Sequence, residues 1–105
     1  METLLVISTL PDQASAEKLA RALVEARVAA CVTILGAANS VYRWQDKIET
    51  AEEVPILIKT TRERYTELEA AIRSAHPYEL PEIIAVSLTA GLPAYLEWVR
   101  AETTL

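Results

Sequence analysis

Two long extended segments, Val28 to Trp44 and Ile48 to Lys59, dominate the middle of the sequence, separated only by the polar turn Gln45-Asp46-Lys47. Both are rich in apolar and β-branched residues, so residues 28–60 predict one large β-hairpin. Because a strand rises about 3.3 Å per residue, the first segment alone reaches about 55 Å. A compact chain of this length is about 33 Å across. We therefore expect part of the hairpin to project beyond the domain.

Two residues predict irregularities in this hairpin. Gly36 interrupts the first segment, where we expect a bend or bulge. Pro55 stands in the second segment and cannot donate a ladder hydrogen bond, so we expect the strand pairing to break or shift there.

The tip of the hairpin carries four large apolar or aromatic side chains: Val41, Tyr42, Trp44 and Ile48. Such a tip in water would be an aggregation hazard with unpaired strand edges. We expect a second copy of the chain to cover it. The sequence therefore predicts a homo-oligomer formed through strand-to-strand contact.

The flanking sequence supplies the other elements. The predicted elements are a strand at 3–9, a helix at 13–27 with Asp12 as N-cap, a helix ending near Ala75 that starts from a capping box at 60–63, a stiff connector at 76–81, a strand at 82–89 and a last helix introduced by Gly91 and Pro93. This order predicts an α+β fold: a ferredoxin-like split βαβ antiparallel sheet with a long central hairpin and an extra C-terminal helix. A chain of 105 residues predicts a single domain spanning 1–105.

Composition excludes several classes of function. A net charge of −5 opposes binding to nucleic acid and to anionic membrane surfaces. No apolar run approaches the roughly 20 residues of a membrane span, and the first residues lack a secretory pattern, so we expect a cytoplasmic protein with no membrane span. With 2 glycines the chain can form neither a P-loop nor a GxGxxG turn. His76 is the only histidine and no paired-carboxylate motif stands out, so we expect that the protein is not an enzyme. If it were a cofactor-free hydrolase, its candidate catalytic residues would be His76, Glu82 and Lys59.

Several stretches resemble one known family in order and spacing. They are Ala29-Ala-Cys-Val, Val41-Tyr-Arg-Trp, Ile58-Lys-Thr-Thr, His76-Pro-Tyr-Glu-Leu-Pro-Glu-Ile and Tyr95-Leu-x-Trp98. Together they are similar to the CutA divalent-cation tolerance family over nearly the whole chain. The resemblance implies a ferredoxin-like homotrimer held by the long hairpins and the C-terminal segment, a fold relationship to the PII signalling proteins, and an association with copper and other divalent metals. Some members carry a Cys where Ser8 stands and a His pair where Ala75-His76 stands, so of those ligands only His76 is present.

Three residues are candidate metal ligands: His76, Glu82 and Cys31. The imidazole of His76 suits Cu(II) or Zn(II), with Glu79, Glu82 or a symmetry mate completing the site. Alternatively His76 fixes the connector by a hydrogen bond. The Cys31 thiolate suits Cu(I), or Cys31 packs as a small apolar side chain in a strand.

A candidate ligand cleft between subunits combines Lys59 and Glu82 with the aromatic residues Tyr42, Trp44 and Tyr78. One cation, one carboxylate and aromatic walls are typical of a small-molecule pocket, and equally of an interface salt bridge. Trp44 and Trp98 are expected to anchor an oligomer interface. The acidic residues Glu49, Glu52 and Glu53 are expected on a solvated strand face, with loose binding of hard cations as the alternative.

These observations lead to two hypotheses of function. The first is a homotrimeric, non-enzymatic protein of divalent-cation tolerance that binds copper or other divalent metal ions. The second is a PII-like trimeric sensor or scaffold that binds a small molecule or a partner protein in clefts between subunits.

Overall fold

The computed structural model describes residues 2–105, which form five strands and three helices. The strands are β1 (Thr3–Leu10), β2 (Cys31–Ile34), β3 (Ala38–Trp44), β4 (Lys47–Thr61) and β5 (Ile83–Ser87). The helices are α1 (Gln13–Glu25), α2 (Tyr65–Ala75) and α3 (Pro93–Glu102). A 3₁₀ turn at Arg62–Arg64 leads into α2.

The strands form one antiparallel sheet in the order β2-β4-β1-β5, with β3 paired to β4 beyond it. Alternate residues of β1 and β4 point to the face that α1 and α2 cover, because successive side chains of a strand point to opposite faces. The main core residues on the two layers are Leu4, Val6, Leu10, Ile56 and Ile58 on the sheet, and Leu19, Leu23, Leu68 and Ile72 on the helices. The predicted ferredoxin-like α+β fold is confirmed.

The opposite face of the sheet is apolar but only partly covered. Leu5 lies between Lys59 and Val86 in the strand register, and Ile7 lies between Leu57 and Ile84. Val86 is 50% exposed and Ile84 is 52% exposed. We call this surface the open face. It leaves large aliphatic side chains half-exposed on the single chain.

The hairpin changes register where its two irregular residues lie. Ile34 pairs with Ile56, and Ala38 pairs with Glu53. Between these two pairs the β2–β3 segment therefore contains one residue more than the facing segment of β4. The Leu35 amide donates to the Pro55 carbonyl at 2.9 Å, inside this shift. The bend at Gly36 and the shift at Pro55 are therefore confirmed.

Beyond this shift, β3 and the first half of β4 form a two-stranded ribbon, which we call the arm. The arm has no third strand, because β1 pairs with β4 only from Val54 to Thr61. The molecule measures 44 × 26 × 23 Å, and its long axis exceeds the diameter expected of a compact chain of this length. The predicted projection of the hairpin is confirmed.

Three local predictions were wrong. Residues 28–30 are not strand: α1 ends early, because Arg27 adopts φ 59° and the Val28 amide donates back to the Leu23 carbonyl in a Schellman closure. The capping box does not form, because the Thr60 hydroxyl donates instead to the buried Val28 carbonyl at 2.7 Å. The Thr61 side chain caps nothing, and the 3₁₀ turn replaces the predicted helix start.

The tip of the arm generates the first testable prediction. Gln45 and Asp46 both have positive φ, 50° and 66°, as a two-residue type I′ turn requires. Glycine adopts this conformation without steric cost, whereas a residue with a Cβ does not. We expect Asp46→Gly to raise the free energy of unfolding by about 0.5 kcal/mol in chemical denaturation.

The matched control is Asp46→Ala, which removes the carboxylate and keeps the Cβ at positive φ. We expect Asp46→Ala to be less stable than Asp46→Gly by about 1 kcal/mol. Equal stability of the two variants would mean that backbone strain at the tip is negligible.

Candidate functional site

His76 closes the end of α2 and attaches the connector to the sheet. Its Nδ1 accepts a hydrogen bond from the Tyr78 amide at 3.1 Å, so its Nε2 carries the proton and donates to the Thr9 carbonyl at 2.6 Å. The side chain is buried, with 8% exposed. Both ring nitrogens are therefore occupied inside the chain, and the imidazole holds the start of the connector against the end of β1.

Tyr78 and Glu53 join the connector to the root of the arm. The Tyr78 ring lies 4.6 Å from the His76 ring, centroid to centroid. Burial, and then the neighbouring Glu53 carboxylate, raise the pKa of Tyr78 to about 12, so its hydroxyl stays protonated at neutral pH. The Thr9 hydroxyl donates a hydrogen bond to Glu53 at 3.2 Å. The Glu53 carboxylate is thus held by Thr9 and lies near Tyr78, where β1, the arm and the connector meet.

These groups form one side of a cavity of about 920 Å³ between the arm and the connector. We call it the arm cavity. Its lining includes three aromatic and three acidic side chains, Tyr42, Trp44, Tyr78, Glu53, Glu79 and Glu82, together with Thr9, Ser40, Val41, Arg43, Ala51 and Leu80. The arrangement combines flat apolar walls with carboxylate oxygens, which suits recognition of a small molecule.

The structure brings together most of the predicted cleft. Tyr42, Trp44, Tyr78 and Glu82 all line the arm cavity. Lys59 does not: it lies on the open face beside Cys31, and its Nζ donates to the Thr33 hydroxyl at 2.8 Å. Lys59 and Glu82 are not neighbours within one chain, because β1 lies between β4 and β5 in the sheet, and their contact between subunits stays a prediction.

The candidate metal ligands lie in two places. His76 contacts Thr9, and Glu82 stands beside the same end of β1, just before β5 begins. Cys31 pairs with Lys59 of β4, whereas Thr9 pairs with Pro55 of the same strand. Lys59 and Pro55 are four residues apart, so the two places are separated by about 13 Å along β4. Within residues 2–105 of one chain, no three His, Cys, Asp or Glu side chains are placed to hold a metal ion together.

Ser8 and Trp98 differ in burial. Ser8 is fully buried in β1, and its hydroxyl has no hydrogen-bond partner in the described chain. Trp98 is 42% exposed on α3 and stacks on Tyr95 at 5.5 Å. Trp98 is therefore available on the surface of the single chain, whereas the Ser8 position belongs to the core.

Sequence reasoning missed the role of Glu53. We expected the three hairpin glutamates on a solvated strand face, and Glu49 and Glu52 are exposed, but Glu53 is only 9% exposed. Its neighbours there are Thr9 of β1 and Tyr78 of the connector, and both are far away in sequence. The alternation of strand side chains places Glu53 with Tyr42 rather than with Glu52, but only the register across the β3–β4 pair could have shown which face is buried.

Comparison with known proteins agrees with this architecture. The family model of the CutA1 divalent ion tolerance protein matches residues 4–102. The divalent-cation tolerance protein CutA of Thermus thermophilus is 40% identical over 98 residues, covering 93% of this chain and 95% of the relative. The crystal structure of CutA from Xylella fastidiosa superposes with a TM-score of 0.96 at 47% identity, covering 99% of this chain and 100% of that one.

A third relative bears on cellular location. The structure from Archaeoglobus fulgidus, described as a periplasmic divalent cation tolerance protein, has a TM-score of 0.94 at 31% identity and covers 97% of this chain and 99% of that one. In this chain, none of the helices within residues 2–105 is long and apolar enough to cross a membrane. The matched model, the identity over nearly the full length and the shared fold lead to one conclusion: this chain belongs to the CutA1 divalent ion tolerance protein family.

Proposed function

We propose that this chain works as a homotrimeric divalent-cation tolerance protein that binds copper or other divalent metal ions and catalyses no reaction. Membership in a family named for divalent-ion tolerance supports the proposed metal binding. The exposed arm supports the proposed assembly into a trimer. In this proposal residues 1–105 act as one domain, and the trimer is the working unit.

The arm carries the argument for assembly. An isolated two-stranded ribbon is only marginally stable in water. On this arm Val41 is 68% exposed and Ile48 is 62% exposed. The open face adds further aliphatic side chains, and the outer edge of β5 has no strand partner among the described residues. A second copy of the chain would cover all three features with matching strands.

Light scattering on the purified protein tests this assembly. We expect three times the chain mass of 11.6 kDa at micromolar concentration. We expect Val41→Glu to raise the concentration of half-assembly at least about ten-fold, because an unpaired carboxylate buried in an interface costs about 3 kcal/mol. Val24→Glu is the matched control, since Val24 is also exposed but lies on α1. A monomeric mass for the wild-type protein would refute the proposal.

The metal site of the proposal is shared between subunits. His76 and Glu82 lie at one end of the sheet and Cys31 lies toward the other, so ligands from neighbouring copies would be needed to complete a coordination shell. Ligation by His76 also requires its bond to the Tyr78 amide to open, because a metal needs a free imidazole lone pair.

Calorimetric titration with Cu(II) tests the ligand assignment. We expect the wild-type protein to bind copper more tightly than about 1 mM, and His76→Ala to weaken that binding by about ten-fold or more. Arg73→Ala, at an exposed position on α2, serves as the control. Unchanged affinity in His76→Ala would restrict His76 to its hydrogen-bonding role.

We propose a cytoplasmic location for this protein. The periplasmic description of the Archaeoglobus fulgidus relative is the competing location. Fractionation of cells that express the untagged chain distinguishes the two. We expect the protein with the cytoplasmic fraction; recovery on osmotic shock would overturn this location.

The arm cavity favours a second candidate function, a PII-like sensor or scaffold that binds a small molecule or a partner protein in clefts of the trimer. A volume of about 920 Å³ and a mixed aromatic and polar lining are typical of ligand sites. This function and metal binding use different residues, apart from Glu82, and can be tested separately.

A further inference from the structure

The carboxylate of Glu53 is a buried charge without an opposite charge. Glu53 is only 9% exposed, and its hydrogen-bond partner is the neutral hydroxyl of Thr9, with the Tyr78 side chain lining the same cavity. None of the ion pairs within residues 2–105 includes it. Buried carboxylates in proteins are ordinarily paired with a cation, because desolvation of an unpaired charge is costly. Within one chain, no described residue therefore supplies a cationic partner for Glu53.

The arm cavity beside Glu53 has the charge and the walls for such a partner. Glu79 and Glu82 add two more carboxylates to its lining, against the single guanidinium of Arg43. Arg43 forms no ion pair with any described residue. The excess of negative charge in a concave site attracts and concentrates cations.

Aromatic faces distinguish the kind of cation. Tyr42 and Trp44 alternate along β3 on the side of the arm that carries Glu53, and Tyr78 faces them from the connector. Aromatic rings around a carboxylate bind alkylammonium groups through cation–π attraction and apolar contact with the alkyl carbons. A bare metal ion would need converging ligand atoms, and no such group of three occurs within residues 2–105.

We propose that the arm cavity binds a small organic cation of the alkylammonium class, with its charge against Glu53 and its alkyl groups against Trp44, Tyr42 and Tyr78. The inference rests on the second proposed function, a small-molecule cleft, and specifies its ligand class. The cavity volume of about 920 Å³ accommodates such a molecule.

Tryptophan fluorescence can measure this binding at the cavity itself. In the Trp98→Phe background, Trp44 is the only tryptophan and lines the cavity. The probe is choline, and its neutral isostere 3,3-dimethylbutan-1-ol is the matched ligand control. We expect choline to bind about ten-fold more tightly than the isostere, in line with a desolvated cation–π contact.

Two substitutions locate the charge. Glu53→Gln keeps an acceptor for the Thr9 hydroxyl but removes the charge, and we expect choline affinity to fall about ten-fold or more. Glu52→Gln is the control, because Glu52 is exposed on the other face of the arm, and we expect no change. Should Glu53→Gln fail to fold, Trp44→Leu measured by calorimetry tests the same contact on an exposed strand.

Other outcomes overturn the inference. Equal affinity for choline and its neutral isostere would mean an apolar pocket with no cation preference. Equal loss in Glu52→Gln and Glu53→Gln would mean a diffuse surface field. Binding of MgCl₂ or CuCl₂ that depends on Glu53, with no binding of choline, would assign the carboxylate to a metal ion instead.

Light scattering on the same samples separates this inference from the proposed assembly. A trimer that does not bind choline refutes the organic-cation site and leaves the assembly intact. A monomer that binds choline in a Glu53-dependent manner supports the site and refutes the trimer.

Discussion

The length of β4 is the constraint on which the other features depend. This single strand of 15 residues is paired on both sides only in its second half, where β1 and β2 flank it. Its first half has β3 alone, so the arm leaves the domain as an unsupported ribbon. The exposed apolar tip, the register shift at Pro55 and the cavity under the arm all follow from this division of one strand between two environments.

Most of the fold could be predicted from the sequence because its signals are local. The alternation of apolar residues in β1 and β4, the Asp12 cap and the proline that begins α3 each act within a few residues. One of the misplaced boundaries depended on a distant partner, and the other on an unusual backbone conformation. Thr60 sits in a capping pattern but bonds to Val28, across the sheet, because a buried carbonyl there needs a donor. Arg27 ends α1 early in a conformation that glycine usually takes.

The candidate site was predictable only in part, for the same reason. The aromatic residues at the arm and in the connector were identifiable by type, and they do converge on one cavity. Glu53 could not be singled out, because its neighbours at the root of the arm are Tyr78 and Thr9, and neither is near it in sequence. Lys59 lies apart from the cavity of its own chain because β1 lies between β4 and β5, and this strand order is a property of topology that no local pattern encodes.

The continuity of β4 joins the arm rigidly to the sheet at one end and leaves the tip free at the other. The strand runs without a break from the tip turn through Glu53, at the root of the arm, into the core of the sheet. A force that holds the tip therefore bears on the wall of the cavity at the other end of the same strand. If binding of the tip to a neighbouring chain changes the affinity of the cavity for a ligand, then a ligand in the cavity changes the affinity of the tip for its neighbour by the same factor. Under that condition, the effect of assembly on ligand affinity and the effect of the ligand on assembly would report the same coupling free energy.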